Sequence, residues 1–580
     1  MLVRKGYAAT IPSFNGHFFR LGRDHKVAPG KSDFVDFMAV ETELKLLLPP
    51  DTAAGILRRP ALRNLLALAP EAAAEASSTL EPGAEPNPAG LHRYKLESTY
   101  FDTPDQWLSS HGMALRVRRI GRKRIQTLKA PASGPSGLQN FQEIEAEIAS
   151  DRPQLAAVTD AKLNRRLERG NVWRRLRPVF ETKFHRTAFL TGHGGSKIEV
   201  AVDLGSIVAG GRRLPIAEIE LELKSGEPGA LYELAEQLAL QLSEDFPVRL
   251  GAETKAGRGY ALAEGLEPVP HKAKTITLSP KMSTEEGFVA IVTNCLDQLR
   301  ANEEAVLSIE DDEAIHQFRV ALRRLRAIVS AYRDLVDDDV QAMISIDLRW
   351  MQRQFGPARD LDVLIAETLQ PIHNRLRGQA AFDQLIETAE TARGEARRAA
   401  HLAIENPRYV SMLIQFYRHL HSGDWRRASA RARLGAPIGD FARPLLQSRH
   451  KRLMKLGMRY QALPEPELHR LRILAKKMRY GAEAFHSLYK LKPAKKYIAS
   501  LAAIQDSLGS LNDAFVSRQL LSGLAQRLVV EHGMAAADAN LLQGLVLGWQ
   551  TARIDRDLGG FDGVWRNFAE QKRFWSGAKG

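Results

Sequence analysis

The spacing of apolar residues changes once along this chain. Over residues 38–261, apolar and polar positions alternate with a period of two, broken by turns rich in glycine and proline such as PASGPSG at 131–137. This alternation is typical of antiparallel strands, with short helical stretches such as residues 230–242 between them. After Lys281 the apolar positions follow a helical period almost to the end of the chain. The pattern therefore predicts an α+β first half followed by an all-α second half.

A proline-bearing segment without an apolar period separates the two halves. It spans residues 263–280 and is typical of an interdomain linker. We therefore predict one domain over residues 38–262 and another over residues 281–575. Residues 1–37 show no clear periodicity and are expected to be a disordered N-terminal extension.

The helical half contains an internal repeat. The stretch HQFRVALRRLR begins at His316, and HRLRILAKKMR begins at His469 with its basic residues at the same spacings, an offset of 153 residues. The repeat divides this half into two similar helical units, at about 281–430 and 440–575. We predict that these units form two pseudo-symmetric helical bundles.

The charge of the chain is concentrated in the helical half. The formal net charge is +14, and residues 271–580 hold 46 Lys and Arg against 35 Asp and Glu, whereas residues 1–270 hold 36 against 33. This excess suggests an anionic partner. The single cysteine, Cys295, excludes an internal disulfide and a multi-cysteine metal site. No stretch approaches the ~20 apolar residues of a membrane span, so no membrane association and a cytoplasmic location are expected.

Charged residues occupy every second position of four predicted strands. An isolated strand of this kind is most often half-buried with its charged face in water. Four such strands carrying both acids and bases fit a closed barrel better, with apolar faces packed outward and charged faces lining the lumen. Carboxylates there could hold Mg²⁺ or Mn²⁺, and arginine and lysine could hold a polyanion. The four sets are Glu41, Glu43 and Lys45; Arg116 and Arg118; Glu143, Glu145 and Glu147; and Glu218, Glu220 and Glu222.

Several ordered blocks resemble those of the CYTH superfamily, the triphosphate tunnel metalloenzymes. ETELK at 41–45 matches the E-x-E-x-K signature of that family. Further blocks follow in the expected order: STYFDTPDQWLSSHGMALRVRR (98–119), QTLKA (126–130), EIELELKSG (218–226) and KAGRGYAL (255–262). One position departs from the family pattern, because Phe141 stands where an arginine is often found.

The resemblance implies an eight-stranded tunnel with flanking helices that hydrolyses a triphosphate with Mg²⁺ or Mn²⁺. Asp203 is a weaker candidate for the acidic set, since a turn aspartate before Gly205 is equally compatible with the sequence. Carried over by position, the metal ligands would be Glu41, Glu43, Glu220 and Glu222. The catalytic side chains would be Lys45, Glu143 and Glu145. Lys45, Arg116, Arg118, Lys129, Arg186 and Lys255 would bind phosphate oxygens.

The repeated basic residues fall on one stripe of each predicted helix, at i, i+3, i+7 and i+10. Two solvated basic faces are one explanation, but repetition of the histidine at the same spacing favours a shared basic groove. These helices and the block GPARDLDV (356–363) resemble the CHAD domain, which implies binding of inorganic polyphosphate. In the second repeat Asn512 replaces Arg359, so the halves need not contribute equally. The expected polyphosphate-binding residues are His316, Arg319, Arg323, Arg324 and Arg326, and His469, Arg472, Lys476, Lys477 and Arg479.

The leading functional hypothesis is hydrolysis of inorganic triphosphate to pyrophosphate and phosphate, coupled with polyphosphate binding. The resemblance leaves thiamine triphosphate or nucleoside triphosphates as alternative substrates, and cyclisation of ATP as an alternative reaction. A non-catalytic protein that associates with polyphosphate granules is an alternative from another class. Nucleic acid is not an expected partner, because the basic half shows no aromatic stacking platform.

Overall fold

The computed structural model describes most of the chain that follows the predicted N-terminal extension. That extension, residues 1–37, lies outside the described residues. Contacts between Cα atoms group the chain into a first unit, which runs to Glu267 and also includes Glu405–Ser422, and a second unit of Pro268–Ile404 and Gly423 onward. The described residues are 40–52, 55–67, 90–132, 138–169, 171–309, 311–336, 339–376, 379–426 and 428–576.

The first unit is built around an antiparallel barrel. Its strands are β1 Val40–Leu47, β2 His92–Asp102, β3 Ala114–Ile120, β4 Lys123–Pro131, β5 Gln139–Glu147, β6 Arg177–His193, β7 Ser196–Ala209, β8 Arg212–Ser225 and β9 Arg249–Leu250. Around the barrel the order is β5, β4, β3, β2, β6, β7, β8, β1, and β1 pairs with β5 to close the ring. The two-residue β9 adds to the edge of β1. The prediction of an eight-stranded antiparallel tunnel is confirmed.

Alternation along each strand separates the lumen from the outer core. Leu44 and Leu46 of β1 are fully buried in the outer layer, while Glu43 and Lys45 take the intervening inward positions. The register of β1 against β8 sets Glu43 opposite Glu222 and Lys45 opposite Glu220. Closing the sheet therefore brings acids and bases from distant parts of the sequence onto one inner surface.

Helices flank the barrel and make up the second half of the chain. In the first unit these are α1 Pro60–Ala67, α2 Trp107–Ser110, α3 Ala161–Arg169, α4 Gly229–Leu242 and α5 Lys255–Glu264. After the predicted linker come α6 Thr284–Ala301, α7 Glu303–Ser308, α8 Asp312–Ala331, α9 Asp339–Leu364, α10 Gln370–His373, α11 Ala380–Glu405, α12 Pro407–Ser422, α13 Ala428–Gly435, α14 Ile438–Gly457, α15 Glu465–Phe485, α16 Leu491–Ser507, α17 Gly509–His532, α18 Ala536–Gly559 and α19 Phe561–Ala569. No helix in the described part of the chain is both long and apolar enough to span a membrane.

Helix α12 comes from the helical half of the sequence but packs in the first unit. It lies against α4, which in turn packs on β1 and β8. Glu236 of α4 accepts hydrogen bonds from Ser411 Oγ at 2.7 Å and from Gln415 Nε2 at 2.6 Å. Arg418 Nη2 donates to Glu233 at 2.6 Å. The polar face of α12 is thus paired with carboxylates of a helix that supports the barrel.

The internal repeat is visible in the helices of the second unit. The segments before α6 and α14 pair reciprocally: the amide of Thr284 donates to the Ala436 carbonyl at 2.8 Å, and the amide of Ile438 donates to the Met282 carbonyl at 2.9 Å. Each of these helices is followed by one of the repeated basic helices, α8 and α15, and these two also pack against each other. This arrangement places the equivalent basic faces of the two repeats near a common line.

Candidate functional site

All twelve tunnel residues expected from the sequence line one cavity of the barrel, about 320 Å³ in volume. Half of them are carboxylates and half are cations, so the lumen carries close pairs of opposite charge. They are Glu41, Glu43, Glu143, Glu145, Glu220 and Glu222, and Lys45, Arg116, Arg118, Lys129, Arg186 and Lys255. Tyr100 and Phe141 add aromatic wall to the same cavity.

Lys255 lies at the centre of the most deeply buried group. Its Nζ is 2.6 Å from Asp203, 2.5 Å from Glu218 and 2.9 Å from Glu220. Burial alone would disfavour the ammonium, but these three carboxylates outweigh burial and raise the pKa of Lys255 above its usual range. Arg186 adds a paired contact with Asp203, at 2.8 and 2.7 Å.

The same network keeps its acids ionised. Burial raises the pKa of Glu220, but Lys255, Lys45 and Arg186 together hold it well below the usual range. Lys45 Nζ lies 2.9 Å from Glu220 and 3.0 Å from Glu43, and these two carboxylates raise the pKa of Lys45 against the effect of burial. A phosphate chain entering here would meet cations that are already held in place.

Two members of this network were missed or underrated from the sequence. Asp203 is not in a turn before Gly205; it lies inside β7, is fully buried, and contacts Arg186 and Lys255. Glu218 is also fully buried and contacts Lys255 and Arg258. The signal for Glu218 was its position two residues before Glu220 on the same strand face. Nothing in the sequence around Asp203 distinguishes a strand from a turn.

One group of three possible metal-ligand side chains has ligand atoms that all lie within 4.8 Å of one another, and it is the only such group in the described chain. It consists of Asp203, Glu218 and Glu220. The chemistry and burial of this triad are consistent with a metal site. Its three members also share Lys255, so a cation bound among them would compete with the ammonium. Of this triad, Glu220 also lines the tunnel cavity. The predicted ligands Glu41, Glu43 and Glu222 line that cavity as well but do not form such a set.

A second group of charges lies around Lys129. Its Nζ is 2.6 Å from Glu41 and 3.4 Å from Glu143, and Arg116 Nη2 lies 3.4 Å from Glu143. At Glu41 the effect of burial is larger than that of Lys129, so the pKa of Glu41 is raised. At Glu143 the effects of Lys129 and Arg116 outweigh burial, so the pKa of Glu143 is lowered. Glu145 is 3.7 Å from Arg116 and accepts a hydrogen bond from Thr127 at 2.6 Å.

Phe141 of β5 lines the cavity beside this group. Lys129 Nζ lies 5.6 Å from the centre of the Phe141 ring, a cation–π distance. Arg118 belongs to the same wall and its Nε donates to Ser98 Oγ at 3.3 Å. Phe141 therefore presents an aromatic face to the ammonium of Lys129.

Glu222 is the least compensated of the predicted metal ligands. Burial is the main cause that raises its pKa, to about 7, and repulsion from Glu41 and Glu199 adds to it. Lys224 is its nearest cation, at 2.8 Å. Carboxylates held this close with so little positive charge have the oxygen chemistry that Mg²⁺ or Mn²⁺ prefers.

Nine of the ten repeated basic residues divide into two groups in the second unit. The tenth, His469, lies on α15 with its ring 6.4 Å from that of Phe515. Six of the nine face one another between α8 and α15 or lie beside that line, and we name this set the helical groove. Arg324 instead donates to Gln298 and Asn294 of α6, at 2.6 and 2.8 Å, Arg326 bonds Gln352, and Lys477 is exposed. The helical groove comprises His316, Arg319, Arg323, Arg472, Lys476 and Arg479.

Cations in the helical groove outnumber the acids that reach them. Arg319 has Asp360 at 3.2 Å, and Arg479 has Glu483 at 3.4 Å. Burial, followed by repulsion from Arg359 and other arginines, lowers the pKa of His316 to about 4. Buried nitrogens without a hydrogen-bond partner in the described chain include His316 Nδ1 and the Nε atoms of Arg323 and Arg472. Unpaired buried donors are costly, so this surface has unfilled capacity for an acceptor.

The fold and these sites define a class of two-part proteins, in which an acid- and base-lined β tunnel is followed by paired basic helices. Comparison with known families makes the assignment specific. The CYTH domain model matches residues 66–260, and the CHAD domain model matches residues 290–522. The chain is therefore a CYTH domain followed by a CHAD domain, as the sequence blocks predicted.

Similar proteins are known for both parts. An inorganic triphosphatase of Haemophilus influenzae is 36% identical over 168 residues, which are 29% of this chain and 46% of that protein. The chain thus matches about half the length of that relative. An uncharacterized protein of Mycobacterium tuberculosis is 24% identical over 454 residues, 74% of this chain and 82% of that protein. The crystal structure of the CHAD domain from the plant Ricinus communis is 31% identical, covers 53% of this chain and 98% of that domain, and has a TM-score of 0.46.

Proposed function

We propose that the barrel hydrolyses inorganic triphosphate to pyrophosphate and phosphate. The main support is the single cavity that collects six cations and six carboxylates from strands far apart in the sequence. The partial likeness to an inorganic triphosphatase supports the same class of phosphoric anhydride hydrolase. Phosphoryl transfer depends chiefly on positioning and on neutralising charge, which this inner surface is suited to provide.

The cations of the tunnel form two groups that can hold different parts of one phosphate chain. Lys45, Arg186 and Lys255 stand around Glu220, whereas Arg116 and Lys129 stand around Glu143. Each of these five cations contacts a carboxylate in the free protein, which keeps its side chain oriented before substrate arrives. Lys45 contacts both Glu43 and Glu220, so it is placed to orient a phosphate beside the acidic wall.

The carboxylates of the lumen fit a divalent cation. We infer that Glu41, Glu43, Glu220 and Glu222 would hold Mg²⁺ or Mn²⁺, with Glu143 and Glu145 nearby. The raised pKa values of Glu41 and Glu222 support this assignment, because they reflect buried carboxylates that lack sufficient positive charge. When bound, the metal would neutralise phosphate oxygens and lower the pKa of a water. Asp203 and Glu218 are better suited to holding Lys255 than a metal, since the ammonium already occupies the space between them.

The experiment that tests this function is phosphate release from a panel of substrates by the full chain with Mg²⁺ or Mn²⁺. Inorganic triphosphate should be hydrolysed faster than thiamine triphosphate or ATP, and no cyclic AMP should form. A faster reaction with either organic triphosphate would keep the tunnel chemistry but reassign its substrate. No hydrolysis of any of them would favour a non-catalytic protein associated with polyphosphate granules.

We also propose that the helical groove binds inorganic polyphosphate and that the protein acts in the cytoplasm. The Nε atoms of Arg323 and Arg472, which are buried without a hydrogen-bond partner in the described chain, support the binding site. Binding of a linear polyanion releases counterions, so affinity should fall steeply with salt. The Arg323→Ala and Arg472→Ala variants should each weaken binding, and the Arg470→Ala variant is the control because Arg470 is exposed on the same helix. If Arg323→Ala and Arg472→Ala bind polyphosphate as tightly as the wild type and Arg470→Ala do, the groove is only a solvated basic surface.

A further inference from the structure

Lys476 occupies an unusual place in the helical groove. It lies on α15 between Arg472, four residues before it, and Arg479, three residues after it. Arg323 and Arg319 belong to α8, which packs against α15, so four guanidinium groups repel one half-buried ammonium. No carboxylate lies within ion-pair distance of Lys476 among the residues that the structure describes.

The acids on the surrounding helices serve the arginines instead. Asp360 of α9 pairs with Arg319, and Glu483 of α15 pairs with Arg479. Asp513 of α17 and Asp506 of α16 act on Arg472. Helix α14 contributes a further cation, Arg449, which donates to the Lys477 carbonyl at 2.7 Å.

Two histidines complete the titratable surroundings of Lys476. His469 lies two turns before it on the same helix, and burial, then Arg472 and Lys476, lower the pKa of His469. His316 of α8 is held neutral at ordinary pH by burial and by Arg359. An imidazole is either neutral or positively charged, so neither histidine can offset the repulsion on the ammonium.

We propose that the helical groove takes up polyphosphate together with a proton, and that Lys476 is the residue that accepts it. This inference rests on the polyphosphate binding proposed above and adds its proton linkage. An amine crowded by guanidinium groups gives up its proton readily, because the positive charges around it disfavour the ammonium. A row of bound phosphate oxygens supplies negative charge and favours the ammonium instead. The empty groove thus holds fewer positive charges than the filled one.

The direction of the pH dependence follows from that change of field. Burial, followed by repulsion from Arg323, Arg472, Arg319 and Arg479, lowers the pKa of Lys476 to about 7 in the free protein. Bound phosphate moves the pKa of Lys476 back toward its ordinary ~10.4. The complex then holds more protons than the free protein above pH 7, so affinity falls as the pH rises beyond 7. The loss can reach about tenfold per pH unit and ceases below pH 7.

Isothermal titration calorimetry of the full chain with long-chain inorganic polyphosphate tests this proposal. Titrations at pH 8 in HEPES and in Tris, which differ in ionisation enthalpy, give the number of protons taken up on binding. At pH 8 histidines with ordinary pKa values are neutral and a long chain has few terminal phosphates to titrate. The wild type should take up about one proton per Lys476 engaged.

The decisive variant is Lys476→Arg, which keeps the positive charge but cannot release it at pH 8. It should bind at least as tightly as the wild type at pH 8, take up almost no proton, and lose the weakening between pH 7 and pH 8.5. Lys477→Arg, the exposed neighbour, should behave as the wild type. Tight binding without proton uptake, or full uptake in Lys476→Arg, overturns the inference while leaving polyphosphate binding intact. Absence of binding by the wild type overturns both proposals.

Discussion

Replacing Lys255 with methionine would show how far the barrel depends on its buried charge pairs. Methionine has nearly the same length but no charge, and the ammonium that it removes lies 2.5–2.9 Å from Asp203, Glu218 and Glu220. Removing one partner of a buried ion pair typically costs ~3–5 kcal/mol, because the other charge stays buried without compensation. Arg186 still contacts Asp203 and Glu220, and Arg258 still contacts Glu218. We therefore expect a loss near the lower end, about 3 kcal/mol, in the free energy of unfolding of the first unit.

The pH dependence of that loss provides a second test. In the wild type, nearby cations lower the pKa values of Asp203, Glu218 and Glu220 despite burial. Their contribution to stability is therefore fully present above the pKa of the unfolded state. It disappears as the pH falls through the lower pKa of the folded state. Without Lys255, at least one of these carboxyls should have a raised pKa and should take up a proton as the pH falls. The deficit of Lys255→Met should thus be largest at pH 8 and smaller at pH 5.

Differential scanning calorimetry of the full chain at both pH values measures these effects. The control is Lys95→Met, which removes a 3.0 Å pair with Glu97 whose lysine is 70% exposed. That exposed pair should contribute nothing measurable. A Lys255→Met protein as stable as the wild type at pH 8 would refute the claim that the lumen is held together by compensated charge.

Two further changes test the packing of the helices. Gly457→Ala would place a Cβ against the ring of buried Trp565 and should destabilise the second unit by ~1–3 kcal/mol. Gly523→Ala, with nothing within 4 Å of its new Cβ, should be neutral or slightly stabilising. Equal melting temperatures of the two variants would contradict this packing. Glu236→Ala removes the acceptor shared by Ser411 and Gln415 and should lower the melting temperature of the first unit. Glu244→Ala, at an exposed site, should leave it unchanged. An unchanged transition in Glu236→Ala would show that α12 does not support α4.

The lumen was largely predictable because two simple rules act together. A period of two decides which residues share a strand face, and closure of the sheet then decides that the charged face of Glu43 and Lys45 is the inner one. Resemblance supplied Lys129, Arg186 and Lys255, which no alternation singles out. Asp203 was underrated because its role depends on Arg186 lying opposite it in β6, a long-range pairing that local sequence does not specify.

Side-chain direction and helix partners were less predictable. Arg324 shares the basic motif with Arg323, yet it turns to α6, because consecutive helical residues point about 100° apart and α6 offers two amide acceptors. The polar stripe of α12, with Ser411 and Gln415, has the composition of a solvated face. Its pairing with Glu236 depends on how distant helices assemble, and periodicity carries no information about that partner.

The most direct measurement is the initial rate of phosphate release from inorganic triphosphate by the full chain. With Mg²⁺ or Mn²⁺ the wild type should be active, and excess chelator should abolish the activity. Glu43→Gln, which removes one lumen carboxylate beside Lys45 without changing its size, should lose on the order of 10²-fold or more in rate while remaining folded. Glu97→Gln, on a side chain outside the tunnel cavity, should match the wild type. Full activity in excess chelator, or an unimpaired Glu43→Gln, would contradict metal-dependent hydrolysis in the tunnel.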